Sequence, residues 1–302
     1  MQYSKILNQI IVLFLIMVVG FYARKKNIIN KEVNRGLSSL LLNITLPFMI
    51  FASFNIAFNK DMLINGGKLL IYSTSIYLFA ILISKLLYFK YPKDKKSILR
   101  FITIFSNCGF MGFPVIESVY GKTGVFYTSI FNISFNILIW VVGIILLTGE
   151  FNLKTLKEVM LNPGIIATFL GLAVFIFSIK LPLPIYKTFD LVGSITTPIA
   201  MLVVGAMLAD IKIMDVFCDI SLYYGTAVRL IVMPLIVLVV MKWLGVKDMF
   251  LGISVLITAM PAPANAAIMA EMYGGDASFA SKCIFLSTVL SAITIPLIIK
   301  LM

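Results

Sequence analysis

The sequence predicts an all-α polytopic membrane protein, with ten transmembrane helices arranged as two inverted five-helix repeats. Three observations carry this. Of 302 residues, 61% are hydrophobic and 13% charged, and the mean hydropathy is +1.04. Long apolar runs recur along the whole chain, with the charges gathered in short segments between them. Punctuating residues return after about half the chain length. Soluble domains are roughly 45–50% apolar, so a surface this apolar belongs in lipid.

Crossing ~30 Å of hydrocarbon takes roughly 20 helical residues. Runs of suitable length cover about 6–23, 37–56, 67–89, 98–120, 124–148, 163–180, 190–210, 220–243, 249–272 and 278–301. They are called spans 1 to 10. Span 1 is long for a signal-peptide core and lacks a small-residue cleavage site. Arg24, Lys25 and Lys26 follow it like a stop-transfer flank, so it is kept as a span. The connecting loops are too short to fold as soluble domains, which excludes catalysis in a separate domain.

Charge sets the orientation. Loops after odd-numbered spans hold Arg24, Lys25, Lys26, Lys31, Arg35, Lys85, Lys90, Lys93, Lys95, Lys96, Arg100, Lys154, Lys157, Lys212 and Lys282. The other side holds Lys5, Lys60, Lys68, Lys122, Lys180, Lys187, Lys242, Lys247 and Lys300. The bias places both termini outside and the odd-to-even loops in the cytoplasm. The net charge of +12 flanks apolar segments instead of covering a soluble face, so nucleic acid is not a partner and membrane lipid is.

The repeat is read from spacing. Pro47 and Pro198 are 151 residues apart, half the chain length. Tyr120-Gly121 ends span 4, and Tyr273-Gly274 ends span 9. Residues 1–150 and 151–302 thus form two five-span halves. Five is odd, so the second half enters from the opposite side.

Two spans break the rule that membrane helices close their backbone bonds. Span 4 contains Ser106-Asn107-Cys108-Gly109-Phe110-Met111-Gly112-Phe113-Pro114, and span 9 contains Met260-Pro261-Ala262-Pro263-Ala264-Asn265. Proline removes a donor and clashes with the preceding turn, so Pro261 and Pro263 impose an unwound stretch. Paired interruptions at matching places in two halves mark a secondary transporter's binding site. Candidate substrate-binding residues are Asn107, Gly109, Gly112, Pro114, Pro261, Pro263 and Asn265. Freed N–H groups and half-helix N-termini there favour an anion. Packing kinks are the plainer alternative. Pro47 and Pro198 are less specific, since lone prolines commonly only shape a span.

Ionisable residues within spans are functional candidates. Arg229 in span 8 either compensates an anionic substrate, pairs with an acid such as Asp210, or snorkels to the surface. Glu117, three residues after Pro114, either carries a coupling proton or faces an outer vestibule. Asn162 precedes Pro163 and caps span 6 or contacts substrate. Cys108, Cys218 and Cys283 are widely spaced and are read as apolar packers. With no histidine and no Cys or acidic cluster, neither a metal, a cofactor nor an enzyme activity is expected.

Asn107 through Pro114 with Tyr120-Gly121, Asn162-Pro163, Arg229 with Pro234, and Met260-Pro261 through Tyr273 resemble the auxin efflux carrier family. That family includes plant PIN-type carriers and bacterial malate or malonate permeases. The resemblance covers essentially the whole chain. It implies a scaffold of spans 1, 2, 6 and 7, and a transport domain of spans 3–5 and 8–10. It implies that spans 4 and 9 cross at their breaks, with substrate held by asparagines at Asn107 and Asn162. It further implies elevator-like movement and homodimers through the scaffold. Glu117 stands where the plant carriers usually have lysine, and the Pro-x-Pro of span 9 is closer together than in the plant pattern.

The expected function is secondary transport of a small organic anion, auxin-like or a mono- or dicarboxylate, across the cytoplasmic membrane by alternating access. One alternative is a proton- or sodium-coupled antiporter of related crossed-helix fold. A membrane sensor or receptor is the alternative of a different class.

Overall fold

A computed structural model describes residues 2–150, 161–210 and 219–302; Lys154, Lys157, Lys212 and Cys218 lie outside the described residues. Among the described residues there is helix and no strand. The helices are α1 (Gln2–Lys25), α2 (Lys31–Leu40), α3 (Leu46–Ser53), α4 (Lys60–Leu87), α5 (Lys93–Ile104), α6 (Phe113–Thr148) and α7 (Pro163–Ile176). They continue with α8 (Leu183–Ser194), α9 (Thr196–Ala209), α10 (Ile220–Ala227), α11 (Met233–Trp243), α12 (Asp248–Ala259), α13 (Ala266–Met272) and α14 (Ala277–Leu301).

Among the described residues seven stretches are long and apolar enough to cross a membrane, fewer than the ten spans expected. The difference has local causes. α5 and α6 run together as one 56-residue stretch, Lys93–Thr148. α7 and α12 are apolar but shorter than the length required. Within α6, Gly121 leaves the helix with φ 61°, and Gly274 of Tyr273-Gly274 has φ 74°, both in the left-handed region that glycine tolerates.

Prolines explain the irregular turns. Wide π-turns occupy Leu41–Thr45, Cys108–Gly112 and Val228–Val232. Each lies two residues before a proline: Pro47, Pro114 and Pro234. A proline ring clashes with the carbonyl four residues back, and widening that turn relieves the clash. Ahead of Pro198 the same strain is resolved by a break, where α8 stops at Ser194 and α9 starts at Thr196.

The chain forms two compact units. The first comprises Met1–Ile71, Gly109–Asn136 and Lys157–Asp210. Here α1 packs on α9 with backbones nearly touching: a Cβ added at Gly20 would overlap the Leu202 carbonyl, and one at Gly205 the Met17 carbonyl. α3 packs on α7 and α8. A Cβ at Gly171 would meet the Phe54 ring, and Phe54, Phe126 and Phe175 stack in tilted and edge contacts at 4.7 and 5.2 Å. Gly20 and Gly171, each packed closely against a neighbouring helix, are 151 residues apart, the spacing of Pro47 and Pro198.

The second unit comprises Tyr72–Cys108, Ile137–Leu156 and Ile211–Met302. α11 packs on α12, α13 on α14, and α10 on α14. Asp219 caps α10, accepting from the Ser221 amide at 3.0 Å. The two units divide spans 3 to 5 between them: 60–71 and 109–136 belong with spans 1, 2, 6 and 7.

Candidate functional site: the broken helices

α5 ends at Ile104, and the chain is extended at Phe105 before the π-turn from Cys108 to Gly112. α12 ends at Ala259; Met260 is extended, and α13 begins only at Ala266. The two unwound stretches meet. The Asn107 amide donates to the Pro261 carbonyl at 2.9 Å. Asn107, Pro261 and Pro263 are buried, and Asn265 is half-buried at the start of α13, which its side chain does not cap.

The freed backbone groups find partners. The Ala262 amide donates to Ser287 Oγ at 3.0 Å, and that hydroxyl donates to the Cys283 carbonyl at 2.7 Å. The Ala266 amide donates to the Pro263 carbonyl at 2.9 Å. This satisfies the requirement that irregular backbone at membrane depth be buried in protein. Ser287 was not legible in the sequence, where it is one of several serines in an apolar span.

Arg229 is 1% exposed and does not snorkel. Its Nε donates to the Met260 carbonyl at 3.1 Å, Nη1 to the Thr103 carbonyl at 2.9 Å and the Ile102 carbonyl at 3.5 Å, and Nη2 to the Thr258 carbonyl. The Asp210 suggested as its partner instead pairs with Arg24 at 2.7 Å.

Asn107, Pro261, Pro263, Asn265 and Arg229 therefore share the second unit. Gly109, Gly112, Pro114, Glu117 and Asn162 belong to the first. Gly109 and Gly112 lie in the π-turn, with Pro114 second in α6. Asn162 caps α7: Oδ1 accepts from the Gly164 amide at 2.9 Å and the Ile165 amide at 3.2 Å. Glu117 lines a cavity of about 230 Å³ with Ser53, Lys122, Asp190 and Ser194. The Thr197 hydroxyl donates to its carboxylate at 2.7 Å, and Lys122 pairs with Asp190 at 2.6 Å. Cys108 and Cys283 are buried free thiols, as expected of packers. Among the described residues no group of His, Cys, Asp or Glu has metal-binding geometry.

Long apolar helices, with two buried backbone breaks that meet at Asn107 and Pro261, define a helical integral membrane protein of the transporter class. The profile of one family, described as membrane transport protein, matches residues 5–152 and again 147–299. The chain belongs to this family, the auxin efflux carriers that its motifs resemble. An uncharacterized transporter of Escherichia coli (strain K12), YfdV, is 24% identical over 96% of both chains. One from Methanocaldococcus jannaschii is 22% identical over 96% of this chain and 97% of its own. A Rhizobium meliloti protein, provisionally named a malonate transporter, is 25% identical over 46% of this chain and 43% of its own.

Proposed function

We propose that this protein is a secondary transporter carrying a small organic anion, a mono- or dicarboxylate, across the cytoplasmic membrane by alternating access. The observation that carries the reading is the hydrogen bond from the Asn107 amide to the Pro261 carbonyl, which joins two helix breaks inside one compact unit. Irregular backbone there, beside Asn107 and Asn265, is the proposed substrate contact. Malonate in the name of one relative supports the anion class. Elevator-like movement is the proposed form of alternating access.

The proposed topology is ten spans in two inverted halves, with both termini outside. At ~1.5 Å per residue, the 56-residue stretch Lys93–Thr148 is far too long for one crossing of ~30 Å, so it crosses twice, bending at Gly121. α7 is a further crossing, and α12 with α13 together make another. The twofold match to the family profile and the 151-residue spacing of the closely packed Gly20 and Gly171 support the two halves.

Glu117 is the proposed coupling group, because it is half-buried against the Thr197 hydroxyl on a cavity. Uptake of malonate and a series of mono- and dicarboxylates into proteoliposomes tests the whole reading. Transport of at least one, reduced about tenfold or more by Asn107→Ala or Asn265→Ala, is the expected result. Carboxylate binding without flux would favour a sensor, and sodium or proton exchange abolished by Glu117→Gln would favour an antiporter.

A further inference from the structure

Arg229 raises a question that the transport reading leaves open: what balances a charge sealed in the bundle. Among the described residues the ion pairs are Arg24–Asp210, Lys95–Asp219 and Lys122–Asp190, so no carboxylate pairs with it. Beside it is a cavity of only about 10 Å³, whose polar lining is Tyr77, Thr103, Ser106 and Thr258, none of them acidic. Its guanidinium stays protonated in any protein setting.

The balance comes from the backbone. All four carbonyls on the guanidinium belong to two helix ends. Ile102 and Thr103 lie in the last turn of α5, and Thr258 and Met260 close α12. A helix C-terminus carries roughly half a negative charge. Two such ends aimed at one point repel each other and amount to about one negative charge, which one arginine offsets. The Val228–Val232 π-turn holds Arg229 in its second position.

The clamp sits beside the breaks. Met260, which accepts from Nε, directly precedes Pro261, which accepts from the Asn107 amide. Without the guanidinium, an anion at the breaks would face two bare carbonyl ends. We propose that Arg229 is a positioning and charge-selecting residue. It clamps the C-terminal ends of α5 and α12 together, and it cancels their negative potential so that a carboxylate is accepted at the breaks without touching it. The inference rests on the anion-carrier reading above, and two measurements keep the two separable.

The first is independent of transport. Arg229→Ala should lower the thermal midpoint by roughly 5 °C or more, and millimolar guanidinium should restore at least half of the loss where equal sodium chloride does not. An unchanged midpoint, or equal rescue by both salts, overturns the clamp.

The second measures charge preference in proteoliposomes, with malonate and its uncharged diamide, malonamide, as probes. Wild type should prefer malonate about tenfold or more, Arg229→Met should narrow that ratio to about twofold, and Arg229→Lys should keep most of it while losing stability. A purely structural role lowers uptake of both probes and leaves the ratio unchanged, which overturns charge selection. If wild type carries no carboxylate at all, the anion reading falls and charge selection falls with it, while guanidinium rescue still decides the clamp.

Discussion

Replacing Gly205 by alanine tests the tightest packing in the first unit. A Cβ there would overlap the Met17 carbonyl and crowd the Phe21 amide, both backbone atoms of α1 that no rotamer change can move. The two helices must separate. Overpacking of a tight interface costs about 1–3 kcal/mol, and close approach through small residues is what holds membrane helices together. For a chain of this size 1 kcal/mol corresponds to about 2 °C, so Gly205→Ala should lose roughly 2–6 °C. Gly20→Ala, against Leu202 backbone, should behave alike. Gly171→Ala meets only the Phe54 side chain, which can shift, so its loss should be smaller. Gly67→Ala meets nothing within 4 Å and should be neutral or gain up to about 1 kcal/mol of helix propensity. A thiol-reactive dye in detergent reads the transition through buried Cys108 and Cys283. A Gly205→Ala midpoint within about 1 °C of wild type, or no lower than that of Gly67→Ala, would refute the packing argument.

Other perturbations follow from single contacts. Ser287→Ala strands the buried Ala262 amide, so it should cost about 1–3 kcal/mol in the same thermal assay. Asn162→Ala should cost about 1 kcal/mol by uncapping α7. Asn162→Asp, which keeps the acceptor, should recover it, and uptake lost in both variants would assign the side-chain amide to substrate. Burial pushes Asp219 up, but the Lys95 ammonium and the Ser221 amide pull it down further, so its carboxyl sits below its ordinary value. Its contribution is therefore full above the unfolded value of about 3.9 and fades as pH falls through the lower folded value. Being partly exposed, the pair is worth no more than ~1 kcal/mol. Asp219→Asn should melt slightly below wild type near neutrality, and the two curves should converge at the acid end.

Much of the architecture was legible because hydropathy and proline act locally. The helices run close to the expected spans, and both unwound stretches lie where Asn107 and the Pro261–Pro263 pair stand in the sequence. The three wide turns follow the same logic, each preceding a proline. Partners could not be read, because they depend on which distant residues share a face. Arg229 offered three possible fates, and its backbone clamp was not among them, since carbonyls are anonymous in a sequence. Thr197, which donates to Glu117, lies 80 residues from it along the chain, so nothing in the sequence marked the pair. Among the described residues, Lys93–Thr148 counts as one crossing-length stretch although Gly121 leaves the helix within it, near the boundary the sequence placed between spans 4 and 5.

The two breaks also differ in a way their contact requires. Had both been built like span 9, with prolines at i and i+2, each would offer carbonyls but few amides, since proline has no N–H. Two such stretches would have fewer amides with which to bond each other. The span 4 break keeps its proline beyond the π-turn, at Pro114, so Asn107 retains its amide and gives it to Pro261. The span 9 break supplies the acceptor at Pro261, and its one non-proline amide between the prolines, Ala262, is taken by Ser287. One stretch donates and the other accepts. Replacing Ser106 with proline leaves the Asn107 amide in place and should be tolerated better than Asn107→Pro. Asn107→Pro deletes the donor and leaves the buried Pro261 carbonyl without it, at about 1–3 kcal/mol. Equal stability and uptake for these variants would show that the bond between the breaks is incidental.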